Sequence, residues 1–338
     1  MKNITSKEIL NAYKVFDGGE LDPDEALALI QTKQPYLMDL YSLADKTRLK
    51  FFKSKIDTCE ITNAKSGACS EDCSFCAQSA HHSTNASVYS LKSKEELLKA
   101  AKIAKGHGAE SFCIVVSGRG YPKANDEFNS ILESIRLIRK ETGLELHCSP
   151  GILTKETAKM LKDAGAVMIN HNLETAPSNF KNICTTHKIQ DRINTVKDAK
   201  AVGLKVCCGG IIGLGETVLQ RVELAFALKE LDADAIPVNV HQKIAGTKLP
   251  ESNITLPEIL NFVAVLRLVN PTKGIKIAAG RNTVLADYQG LVFHAGANGM
   301  LIGGYLTIPG RDIDKDRNLI NSLEYHRKSV NVACTEQD

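Results

Sequence analysis

The sequence predicts an α/β protein folded as one (β/α)8, TIM-type barrel preceded by helices. Three observations carry this expectation. From about Lys55 onward, short β-rich runs alternate with stretches of helical periodicity. Several helical stretches end in glycine just ahead of the next strand, at Gly108, Gly143, Gly165 and Gly203, where a left-handed cap turns a helix back toward a sheet. No Pro/Gly-rich linker divides the chain, and eight strand–helix units over roughly 270 residues suit a closed barrel of parallel strands. An open doubly wound sheet is the competing arrangement, but no GxGxxG follows an early strand.

Taken in order, residues 1–50 read as helices packed on the outside or bottom of the barrel, residues 51–310 as the barrel itself, and residues 311–338 as a charged tail, helical and then frayed. The first strand is expected near 58–62. Ser93 and Glu96 form a capping box that opens a helix carrying Leu97, Leu98, Ala101 and Ile103. Further strands are expected at 110–117, 144–148, 166–173, 205–212, 235–240, 275–279 and 300–302. Between them, Ile131, Ile135 and Ile138 repeat at helical spacing, and Leu161, Val196 and Leu224 mark later helices.

Composition narrows the function classes. The 338 residues are 43% hydrophobic and 24% charged, an ordinary globular balance. With 42 basic against 39 acidic residues and no basic block, nucleic-acid binding is not indicated. No apolar run reaches the roughly 18 residues of a membrane span, and the polar start lacks the apolar core of a secretory signal. A cytoplasmic location is therefore expected. In a reducing compartment the 10 cysteines read as metal ligands, reactive thiols or small core residues rather than bridges.

Three of those cysteines, Cys69, Cys73 and Cys76, follow the first strand at CxxxCxxC spacing. In a parallel barrel that loop lies on the C-terminal face, where chemistry sits. Three close thiolates suit an iron–sulfur cluster. Four-iron clusters normally take four, so three leave one iron open to a non-protein ligand. Structural zinc is the competing reading, but it calls for four protein ligands, and the nearest other thiol, Cys59, falls on the strand.

The motif resembles the signature of the radical S-adenosylmethionine (SAM) superfamily. Phe75 matches the aromatic that usually precedes the last cysteine, and 209–216 matches the superfamily's GxIxGxxE segment on strand five. A closer resemblance is to the biotin synthase family. It rests on Ser66-Gly67-Ala68-Cys69-Ser70-Glu71-Asp72-Cys73 with Gln78-Ser79, Asn170-His171-Asn172-Leu173-Glu174-Thr175, Asn182-Ile183-Cys184-Thr185-Thr186, Lys205-Val206-Cys207 and Ala278-Ala279-Gly280-Arg281. These blocks run in family order from about 58 to 305.

The resemblance implies a four-iron cluster on Cys69, Cys73 and Cys76 whose open iron chelates SAM. It implies that Asn172 and Glu174 lie near the SAM ribose and amino acid moiety, where the family more often has Asp than Glu. Arg192 would pair with the SAM carboxylate, and Asn170 and Asn239 would hold the ureido ring of dethiobiotin. His171 reads as structural, and Cys59, Cys184 and Cys334 read as thiols outside the ligand sets.

The family also carries an auxiliary cluster deeper in the barrel, in its common form a two-iron cluster on three cysteines and an arginine. Cys113 and Cys207 match two of those cysteines and are expected to be catalytic as ligands of the sulfur donor. At the third position His147 stands four residues before Gly151, with Cys148 next to it. One residue along a strand turns a side chain to the opposite face, though a bulge at Pro150 would restore the direction. Lys276 stands where the family has arginine, and Cys208 adds a thiol beside Cys207. The expectation is a remodelled site on Cys113, Cys148 and one or both of Cys207 and Cys208, with Lys276 counted among the metal-site residues at the arginine position. It holds either a four-iron cluster with an extra sulfide or a two-iron cluster with shifted ligands.

The activity implied is SAM-dependent radical insertion of sulfur into dethiobiotin to form biotin, through two hydrogen abstractions. SAM, dethiobiotin and a reductant such as flavodoxin or ferredoxin are the implied partners, and a homodimer the implied assembly. Competing readings are a relative with the same barrel but another substrate, of the hydrogenase-maturation or methylornithine type, and a non-enzymatic iron–sulfur carrier.

Overall fold

The computed structural model describes residues 5–333; residues 1–4, Cys334 and the frayed end expected of the tail lie outside them. Eight parallel strands close into a barrel in chain order: β1 (Asp57–Lys65), β2 (Ser111–Val116), β3 (Glu145–Ser149), β4 (Met168–Asn170), β5 (Lys205–Cys207, resumed at Gly210–Ile212), β6 (Ala235–Val240), β7 (Gly274–Ile277) and β8 (Gly299–Ile302). Pairing of β8 with β1 shuts the ring, so the barrel has no open edge. The expected 205–212 strand is interrupted at Cys208–Gly209. There β5 meets Pro237 of β6, which has no N–H to donate, and a Cβ on Gly209 would lie 2.0 Å from the Pro237 carbonyl oxygen.

Among the described residues twelve α-helices accompany the strands. Three precede the barrel: α1 (Lys7–Ala12), α2 (Pro23–Ile30) and α3 (Leu37–Phe52). Then come α4 (Lys94–Gly106), α5 (Asp126–Thr142), α6 (Lys155–Ala164), α7 (Phe180–Ile183), α8 (Ile189–Ala201), α9 (Val218–Glu230), α10 (Leu256–Val269), α11 (Leu291–His294) and α12 (Ile313–Ala333). The Ser93–Glu96 capping box forms at α4, and Gly108, Gly143, Gly165 and Gly203 all take positive φ. Periodicity maps onto burial: Ile131, Ile135 and Ile138 of α5 point into the layer between sheet and helices.

Helix α10 is buried on every side from Ile259 to Val269. A helix buried all round needs cover on several faces: α2 and α3 cover one side of it, and α9 and α11 pack beside it. Asn261 pins that cover. It accepts from Tyr41 Oη (2.9 Å) and donates to the carbonyls of Ile30 and Thr32 (3.0 Å each).

The C-terminal helix is locked by charge. Arg281, after β7, is fully buried and forms a two-pronged pair with Asp316 of α12, which is 1% exposed. Its Nε also donates to the Leu301 carbonyl of β8 (3.2 Å). Removing one partner would strand the other charge in the core, at a cost of about 3–5 kcal/mol. Asp316→Ala is therefore expected to lower stability by about that amount in urea unfolding, and the double replacement Arg281→Met with Asp316→Leu to recover most of it.

Candidate active site

A cavity of about 300 Å³ opens at the C-terminal mouth of the barrel and runs down its axis. Its mouth is lined by Cys69, Cys73, Phe75 and Cys76, its wall by Asn170, Asn172, Glu174 and Arg192, and its floor by Cys59, His147, Cys207 and Lys276. These residues come from loops and strands across most of the chain, which only barrel closure brings together.

The chain leaves β1 and folds back on itself to present the three mouth cysteines. Gly67 N–H donates to Gln78 Oε1 (3.1 Å), Cys69 N–H to the Gln78 carbonyl (3.0 Å), and Ala80 N–H to the Cys69 carbonyl (2.8 Å). A turn closed by Cys76 N–H on the Cys73 carbonyl (2.9 Å) follows. Burial pushes the Cys76 thiol up to about 11. Cys73 is raised by its hydrogen bond to Cys184 and by burial, so a metal that takes these thiols as thiolates must displace their protons.

Two carboxylates bind the loop to 184–187. Asp72 accepts from the N–H groups of Thr185 (2.8 Å) and Thr186 (3.2 Å), from Cys184 Sγ (3.2 Å) and from the Thr185 hydroxyl. Burial alone would raise its pKa; these bonds hold it well below the usual carboxylate range. Glu71 accepts from Thr186 Oγ1 (2.8 Å) and His187 Nδ1 (2.5 Å). His187 Nε2 in turn accepts from Arg192 Nε (3.0 Å). That order fixes one neutral tautomer, with the imidazole proton on Nδ1.

Arg192 then reaches the end of β4. Its Nη1 donates to the Asn172 carbonyl (2.8 Å) and lies 3.5 Å from Glu174 Oε1. Asn172 accepts from Gly209 N–H (3.1 Å) and donates to Glu174 Oε2 (3.3 Å). Asn170 Oδ1 is buried with no hydrogen-bond partner among the described residues. Asn239 also lines the cavity; its amide donates to the Gly210 carbonyl (3.2 Å) and accepts from Ala279 N–H (3.1 Å), which leaves one N–H and one lone pair of the amide uncommitted. Glu216 of the GxIxGxxE segment turns away from the cavity to cap its own turn, accepting from the N–H groups of Gly213 (2.8 Å) and Leu214 (2.7 Å).

On the floor, parity decides which side chains face inward. In register, Ile61, Cys113 and His147 lie side by side, and Cys59 lies beside Ser111. Cys148 is paired with Ile114 on the other face. Cys148 and Cys208, both expected in the ligand set, pack in the apolar layer under the helices. The Pro150 bulge is absent from the β2–β3 register, so nothing turns Cys148 inward. Cys59, set aside from the sequence, faces the cavity. Lys276 is tied to Asp57. Burial would lower its pKa, but Cys59, Asp57 and Cys207 raise it further, and an ammonium has no lone pair for a metal. In this state Lys276 carries positive charge to the floor of the cavity.

The donor sets fit iron–sulfur clusters better than single ions. Thiolates on one zinc lie within about 4 Å of each other. Among the described residues, the group whose ligand atoms all fall within 4.8 Å is Cys73, Cys184 and His187. It shares Cys73 with the mouth tripod, so it cannot act as a separate centre while that thiol holds a cluster. Cys69, Cys73 and Cys76 are spread more widely around one cavity, as a many-iron cluster requires.

Residues 64–228 match the Radical SAM superfamily, and residues 237–326 match the Biotin and Thiamin Synthesis associated domain. Barrel, tripod and cavity thus define a radical SAM enzyme, with an iron–sulfur cluster that binds SAM. The chain is 46% identical to the biotin synthase of Citrifermentans bemidjiense over 313 residues, covering 92% of this chain and 95% of that one. It is 42% identical to the biotin synthase of Clostridium acetobutylicum, covering 96% and 99%. The chain belongs to the biotin synthase family. Among solved structures, methylornithine synthase (TM-score 0.80, 23% identity, covering 93% of this chain and 95% of that one) and a maturase of the [FeFe]-hydrogenase (TM-score 0.80, 17% identity, covering 95% and 75%) share the fold.

Loss of the Asp72 hydrogen bonds should cost about 1.5–3 kcal/mol and loosen 184–187. Asp72→Ala is expected to speed amide exchange at Thr185 and Thr186. Because the folded pKa lies below the ordinary 3.8, the stabilisation is full above that pH and fades as pH falls below it. The gap between wild-type and variant urea midpoints should shrink accordingly.

Proposed function

We propose that this enzyme inserts sulfur into dethiobiotin to form biotin, by SAM-dependent radical chemistry. The observation that carries the reading is one cavity with a three-cysteine tripod at its mouth and a second, inward-facing set of cysteines on its floor. When bound, the tripod cluster and SAM supply the radical that removes hydrogen from an unactivated carbon, and the auxiliary cluster supplies the sulfur.

The chain's own work is placement and exclusion of water. Cys69, Cys73 and Cys76 hold the SAM cluster, and Phe75 packs the mouth beside them. Arg192, already oriented by His187, offers a guanidinium fork to the SAM carboxylate. Asn172 and Glu174 accept from SAM hydroxyl and amino groups; burial raises the Glu174 carboxyl, and the Arg192 charge works against that. Asn170, with an unpartnered buried oxygen, accepts from a ureido N–H. Asn239, on the same cavity wall, offers its remaining N–H and lone pair to the ureido group. Cys113 and Cys207 hold the auxiliary cluster below.

The domain reading follows the same division: a helical extension over 1–50, the catalytic barrel over 51–310 and a tail over 311–338. A homodimer, a flavodoxin- or ferredoxin-type one-electron donor, no nucleic-acid partner and a cytoplasmic location complete the proposal. Among the described residues no helix is long and apolar enough to cross a membrane.

Anaerobic turnover with SAM and dethiobiotin tests the reading, and biotin is the expected product. SAM cleavage without biotin from the wild type would favour a different radical enzyme, and no cleavage at all a cluster carrier. Cys73→Ala should abolish SAM cleavage. Cys113→Ala should still release 5′-deoxyadenosine but yield no biotin. Asn170→Ala should raise the KM for dethiobiotin by about tenfold or more, as expected for loss of a buried hydrogen bond, with SAM affinity unchanged.

A further inference from the structure

The floor of the cavity contains two side chains that no expected ligand set included. Cys59 of β1 is 5% exposed, lines the cavity and stands one register step below Ile61 and Cys113. His147 of β3 is 3% exposed and lies beside Cys113 on the inner face. Its Nε2 is buried with no hydrogen-bond partner among the described residues. Such an orphan calls for an explanation. Cys113 and Cys207 come from the inner faces of β2 and β5 and Cys59 from that of β1, so the three thiols share the interior of the ring. Lys276 of β7 lines the same floor as Cys59 and Cys207 and is paired with Asp57.

We propose that the auxiliary centre is held by Cys59, Cys113, Cys207 and the imidazole of His147, with Cys148 and Cys208 outside it. The proposal rests on the reading that a second iron–sulfur cluster occupies the barrel. A neutral imidazole is an established ligand in such clusters, and it removes one negative charge relative to a fourth thiolate. Four strands each contribute one donor, so the ligand set depends on barrel closure rather than on any local motif.

The test compares anaerobically reconstituted wild type with Cys59→Ser, His147→Ala, His147→Cys, Cys148→Ser and Cys208→Ser. Iron and acid-labile sulfide are counted per chain, and nitrogen hyperfine coupling is recorded on reduced protein without SAM, so that the SAM amino group contributes nothing. Cys59→Ser and His147→Ala are expected to fall to the content of a single four-iron cluster, while Cys148→Ser and Cys208→Ser retain the wild-type content. Wild type should show a directly coordinated nitrogen, and His147→Cys should lose that coupling while keeping its iron. Full iron in Cys59→Ser, depletion in Cys148→Ser, or a nitrogen signal that is missing from wild type or survives in His147→Cys would overturn the ligand set. A wild type holding only one cluster would instead defeat the two-cluster reading, and the inference with it.

Discussion

The chemistry of this protein depends on the alternation of side chains along the strands of a closed barrel. Each strand sends one residue inward and the next outward, and closure in chain order makes inward a single shared space. Cys59, Cys113, His147 and Cys207 share that space because their registers agree. Ile114, Cys148 and Cys208 face the helices for the same reason. A slip of one residue on any strand would exchange a metal-binding donor for a core side chain.

At the mouth the organising element is a relay of hydrogen bonds. Glu71 holds His187, His187 holds Arg192, and Arg192 reaches the end of β4. The cysteine loop, α8 and β4 are thereby coupled through one imidazole of fixed tautomer. Rigid placement matters here because loose geometry is costly when a reactive fragment must meet one carbon–hydrogen bond.

The remainder of the fold protects this arrangement. Helices α2 and α3 cover α10, and the Arg281–Asp316 pair fastens α12 beside β8. Burial keeps the floor thiols protonated until a metal displaces their protons: it pushes Cys207 up to about 12, and burial of His147 lowers its imidazole to about 3, leaving it neutral. Neutral imidazole and displaceable thiol protons are the states from which ligands bind metal.

By itself the sequence determined the barrel, the order of its strands, the helix caps and the three-cysteine loop. All of these rest on short-range signals: periodicity, glycine at a helix end, and donors a few residues apart. It also brought Cys113 and Cys207 into view through resemblance. The tertiary structure decided the rest. Adjacent cysteines such as Cys207 and Cys208 are equivalent in composition and differ only in the face they present. Cys59 gains its meaning from strands paired far along the chain, as does His187 from a carboxylate 116 residues away. Asn239 gains two backbone contacts, to the Gly210 carbonyl and Ala279 N–H, that no pattern announces. Which side of a wall a residue faces, and what stands across from it, is settled only when the ring closes.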